Sequence, residues 1–165
     1  MSQRAALMKD VAAYKWIENH NATAYNASQE IKVLNSVKSI AIKNHFNVDS
    51  VFVFAQIQMD LSKQIENYWL NYWNNPNTPP IKKPTKNNVI SLSKLRTKII
   101  AIDSKLFPAI KDSLKHIHQM KSHKLLKKIT RAFTQQSGEI LPGIPKKPNF
   151  LRILSTVLNN IKFKS

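Results

Sequence analysis

The segment VFVFAQIQMDLSKQIENYWLNYW, residues 51–73, repeats its apolar side chains at intervals of three and four. A half-buried strand would need strict alternation, so this stretch can bury its apolar face only as one long helix, roughly 35 Å from end to end. The helix is read as 48–74, between the break FNVDS and the exposed, proline-rich loop NNPNTPPIKKPTKNN. The same periodicity organises the rest of the chain. A first helix spans 2–18 and a second opens at the cap pair Asn26 and Gln29 and runs to about 45. A fourth starts near Ser91, with Pro108 expected to kink or end it. Shorter amphipathic helices fit 121–136 and 149–162, joined by SGEILPGIPKKPN. The expectation is an all-α bundle of about six helices.

Two glycines in 165 residues agree with a helical chain, and zero cysteines exclude disulfides, thiol chemistry and thiolate zinc sites. No apolar run reaches the length of a membrane-spanning helix, and MSQRAAL is not expected to be a signal peptide. The formal charge of +17 is uneven: residues 1–80 carry 7 Lys and Arg against 6 Asp and Glu, and residues 81–165 carry 19 against 3. Residues 1–104 are read as the helical core, and 105–165 as a basic helical part of the same domain.

Three helices place polar groups where a core belongs. In RAALMKDVAAYKW, Arg4 and Lys15 lie eleven residues apart, about three turns, on one face with Met8 and Val11 between them. Along the long helix the inward stripe reads Val51, Phe54, Gln58, Ser62, Glu66, a polar column spaced by four. The fourth helix is read the same way through Leu92, Arg96 and Ile99. One buried polar residue is ordinarily a satisfied core group, since burying it unpaired costs several kcal/mol, about 2–7. Arg4, Lys15, Arg96 and Glu66 together suggest instead a closed pocket for a small, multiply anionic ligand.

At these residues the chain resembles the all-helical chorismate mutases, specifically the exported type whose site lies within one chain. RAALMKDVAAYKW, VFVFAQIQMDLSKQIENYW and SLSKLR carry the likeness, over about residues 4–100. The resemblance implies conversion of chorismate to prephenate, a step towards aromatic amino acids, by an intramolecular Claisen rearrangement without cofactor or metal. It implies a periplasmic or secreted protein. It also implies roles: Arg4 and Arg96 clamping carboxylates, Lys15 donating to a carboxylate and the ether oxygen, Ser62 seating a carboxylate, and Glu66 facing the ether oxygen. Glu66 can donate there only when protonated.

The likeness departs from the family at the second helix. Gln29 stands where an arginine is expected, Asn26 where an aspartate is usual, and Val33 where a hydrogen-bonding residue is common; Lys32 lies off that face. A charged hydrogen bond is worth about 1.5–3 kcal/mol, so the missing arginine implies a rate lower by roughly 10- to 150-fold. Two other readings compete: a family member that binds without catalysis, and a basic helical module for nucleic acid or anionic surfaces, with KSHKLLKKITR suited to phosphates. That module shows no helix-turn-helix signature. Expected partners are thus chorismate, a second copy of the chain, and a polyanion on the basic half. His116, His118 and His123 are read as a solvated helix surface rather than a metal site, because side chains two apart on a helix point away from each other.

Overall fold

The computed structural model describes residues 1–147 and 149–164; Pro148, within the expected linker, and Ser165 lie outside them. The described residues form seven α-helices, α1 (Ser2–Ala6), α2 (Met8–Glu18), α3 (Ala27–Lys43), α4 (Val48–Asn74), α5 (Leu92–Gln119), α6 (Ser122–Ala132) and α7 (Phe150–Asn159). No strand occurs among them, only two isolated antiparallel bridges. The fold is all-α, as the periodicity required.

The seventh helix comes from the first one, which is split at Leu7. Leu7 keeps right-handed angles (φ −69°, ψ −15°), and its carbonyl still accepts from the Val11 amide at 3.1 Å. The break is therefore a hitch in a nearly continuous helix, and Arg4 and Lys15 keep their common face. α3 and α4 start where their caps put them: Asn26 Oδ1 accepts from the Gln29 amide and Asn47 Oδ1 from the Ser50 amide, each at 3.0 Å. Pro108 neither ends nor bounds α5, which runs on to Gln119 with Pro108 on its exposed side. Proline there removes only the donor that would have met the Ser104 carbonyl, on a face where water can replace it. α6 and α7 are shorter than their amphipathic patterns, ending at Ala132 and Asn159.

α4 is the spine. It packs against α2, α3 and α7, and α6 packs on α7. One apolar core joins these elements, with Phe46, Val51, Phe54, Leu95, Leu114, Phe133, Leu154 and Ile161 almost wholly buried. A smaller cluster of Ala12, Trp16, Leu70 and Trp73 closes the far end of α2 against α4, tied by Trp16 Nε1 donating to Asn74 Oδ1 at 2.8 Å. The chain's end also belongs to the same body. The Asn47 amide donates to Lys162 O and the Lys164 amide to His45 O, each at 2.8 Å, and Phe163 stacks on Phe46.

The segment after α6 presses directly on the spine. Gly143 has φ +87°, and a Cβ there would sit 2.8 Å from Ile65 Cα and 2.9 Å from Tyr68 Cβ. Gly138, at φ +84°, has open space around it. Gly143→Ala is expected to destabilise the protein by about 2 kcal/mol or more, from strain plus a clash with helix backbone, and Gly138→Ala by only about 1 kcal/mol. Urea midpoints for the two variants check this; equal midpoints would show that the segment does not bear on α4.

Candidate functional site

The inward faces of α1, α2 and α4 bring four of the expected residues together. Arg4 Nη1 donates to Ser62 Oγ at 2.6 Å and approaches the Gln58 carbonyl at 3.3 Å. Ser62 Oγ in turn donates to the Gln58 carbonyl at 2.8 Å, so the column of residues four apart becomes a hydrogen-bonded ladder. One step further along α4, Lys15 Nζ meets Glu66 Oε2 at 2.6 Å. The ammonium also donates to the carbonyls of Ala24 at 3.2 Å and Thr23 at 3.4 Å, in the segment that follows α2. Three acceptors match its three protons and fix its direction.

The cluster is nearly dry, with the side chains of Arg4 12%, Lys15 22% and Glu66 8% exposed. Burial raises the pKa of Glu66 above its ordinary value, and the nearby charges of Lys15 and then Arg4 pull it back only in part. Desolvation therefore prevails over a close ion pair, and the group that a hydrogen-bond donor role requires to be protonated is held nearer to protonation.

A residue outside the expected set completes the cluster. Asp103 of α5 places Oδ1 3.6 Å from Arg4 Nε. Its pKa is also raised, by burial first, against the lowering effect of Arg4 and of the Met1 amino group. The site thus contains the side-chain cations Arg4 and Lys15, with the Met1 amino group beside Asp103, and the carboxylates Glu66 and Asp103. With both carboxylates ionised the side-chain charges of Arg4, Lys15, Glu66 and Asp103 cancel. Asp103 had a legible signal, since it lies four residues beyond Ile99 on the inward face of α5.

Arg96 is not in this cluster. It follows the fully buried Leu95, and one helical step of about 100° carries it to the exposed side. The inward stripe of α5 is carried by Leu92, Leu95, Ile99 and Asp103, not by Leu92, Arg96 and Ile99. Asn26 is exposed, and its carboxamide oxygen is taken by the Gln29 amide and by the Ser28 hydroxyl at 2.9 Å, so the structure uses it as a cap. Gln29 and Val33 are half-buried on α3, and Lys32 is exposed. Lys63 of α4, whose ammonium reaches α3, is committed there to Glu30 at 3.3 Å and to Asp60 on its own helix at 2.9 Å. His118 is engaged with the Ile161 carbonyl at 2.9 Å. Among the described residues no group of acidic and histidine side chains could hold a metal ion, and no helix is long and apolar enough to cross a membrane.

Residues 1–67 match the family model described as chorismate mutase type II. That range contains Arg4, Lys15, Ser62 and Glu66 and stops before SLSKLR, the block whose arginine the structure exposes. The resemblance to the chorismate mutases therefore stands over the first 67 residues. No curated protein and no solved structure matches the chain.

Proposed function

We propose that this chain, whose first 67 residues match the type II chorismate mutases, binds chorismate at the Arg4–Lys15–Ser62–Glu66 cluster and isomerises it to prephenate. The observation that carries the reading is the 2.6 Å pairing of Lys15 with Glu66, beside Arg4 on Ser62 and next to the apolar core. In this reaction one C–O ether bond breaks as one C–C bond forms within the same molecule, with no proton, electron or leaving group exchanged. The protein needs only to hold the flexible dianion folded and to stabilise charge growing on the ether oxygen. Arg4 takes a carboxylate, with Ser62 as a neighbouring donor. Lys15 exchanges one of its present acceptors for the ether oxygen, donating a hydrogen bond while keeping its proton, and protonated Glu66 donates from the other side.

The reading has a signature in pH. Glu66 titrates above the ordinary carboxylate range because it is buried, so turnover is expected to rise as pH falls through its pKa and then level off. Glu66→Gln, a donor at every pH, is expected to flatten the profile. A wild-type rate that is flat from mildly acidic to alkaline pH would overturn the role of Glu66. With Gln29 on α3 and Arg96 outside the cluster, the reading also implies slow turnover, by roughly 10- to 150-fold for each charged hydrogen bond absent from the site.

A second reading rests on a separate observation. Among the described residues, none of the 19 Lys and Arg in 81–165 enters an ion pair. Cations left unpaired in such density fit a polyanion, whose binding would weaken steeply with added salt. Titration with duplex DNA at low and high salt tests it; no binding at low salt would dispose of this reading without touching the first.

A further inference from the structure

Of the three acidic residues in the basic half, Asp112 and Glu139 are exposed and only Asp103 turns inward. It sits on the face of α5 that otherwise carries Leu95, Ile99 and Phe107, where an aliphatic side chain would cost nothing in desolvation. What it meets there is Arg4. Ser62 Oγ and the Gln58 carbonyl hold Nη1 of that guanidinium, and Asp103 Oδ1 faces the Nε edge. A carboxylate clamped by both nitrogens of an arginine edge lies at about 2.7–2.9 Å. Asp103 stands at 3.6 Å, close enough to neutralise the charge and too far to fork onto it.

We propose that Asp103 is a built-in placeholder for a ligand carboxylate, occupying the free edge of Arg4 until a carboxylate from outside displaces it. This rests on the reading of the cluster as a site for a dicarboxylate. It makes Asp103 a determinant of affinity and selectivity, because every anion that enters must compete with a tethered one already facing the guanidinium. A monoanion gives up as much as it gains, whereas a dianion that also engages Lys15 gains a second contact and prevails.

The test is calorimetric titration of prephenate, the product dianion, into the wild type and the Asp103→Asn and Asp103→Ala variants, with chorismate turnover followed in parallel. Both variants are expected to bind prephenate about 10-fold more tightly, a change equivalent to 1.4 kcal/mol. Acetate, a monoanion, should bind measurably only when Asp103 is gone. Unchanged or weaker prephenate binding in both variants, with wild-type turnover intact, overturns the placeholder and leaves the mutase reading standing. Tighter binding without turnover in any form upholds the placeholder and overturns the mutase. Failure of every form to bind prephenate overturns both.

Discussion

Replacing Arg4 with alanine is expected to abolish chorismate turnover, lowering it at least about 100-fold. The guanidinium is the one group of the cluster that can fork onto a carboxylate, and each charged hydrogen bond it supplies is worth about 1.5–3 kcal/mol, so two lost together exceed that factor. The loss has a second source. Without Arg4, Asp103 remains half-buried with its facing cation removed, and a negative charge then repels the substrate from the space where its carboxylate should sit. Arg4→Lys is the instructive companion. It keeps the charge that balances Asp103 and loses the planar fork, so it should recover part of the activity and leave turnover roughly 10-fold below wild type. Steady-state kinetics on the two variants check this. Equal activity in wild type and Arg4→Ala would remove Arg4 from the site.

Lys15→Ala is expected to be the most destabilising single change in the cluster, by about 3–5 kcal/mol near neutral pH, which corresponds to a melting temperature lower by roughly 10 °C. The reason is what it leaves behind. Glu66 is 8% exposed, and Lys15 is the strongest influence opposing the effect of its burial, so removing the ammonium raises the Glu66 pKa further still. The sign with pH follows from that direction. A carboxyl whose folded pKa lies above its unfolded value contributes stability that is fully present below the unfolded value, 4.5, and is lost as pH rises through the folded one. The deficit of Lys15→Ala relative to wild type should therefore be smallest near the acid end, where Glu66 is neutral in both proteins, and should widen as pH rises. Thermal melts of both across that range test it. A deficit independent of pH would mean that the lysine acts through its stem and its bonds to Thr23 and Ala24 rather than through Glu66.

The part of this architecture that the sequence makes legible is the part set by local rules. Residues 4, 8, 11 and 15 share a face whatever else the chain does, and the hitch at Leu7 does not move Arg4 off it because the hydrogen bond from Val11 to the Leu7 carbonyl survives. Gln58, Ser62 and Glu66 form a column for the same reason. Asn26 and Asn47 cap helices because their short acceptors reach the third amide. On α5 the same rules put Asp103, four beyond Ile99, on the inward face but do not decide between Leu95 and Arg96. Lys94, Arg96 and Lys98 surround Leu95 with cations, so intervals of three and of four both yield a plausible stripe, and only packing against α1 and α2 selects the one through Leu95 and Asp103. The pairing of Arg4 with Asp103 spans nearly a hundred residues of sequence, and periodicity carries no information about it. Asn26 shows a different limit: one residue fitted two roles, helix cap and ligand contact, and the structure commits its oxygen to the cap.

The assay that bears most directly on the account is the loss of chorismate absorbance with purified wild-type protein, followed at mildly acidic and at neutral pH. The account predicts turnover that is faster at the acidic pH, slow at neutral pH and absent from Arg4→Ala at both. A folded wild-type protein that turns over no chorismate at either pH, beyond the Arg4→Ala control, would contradict it.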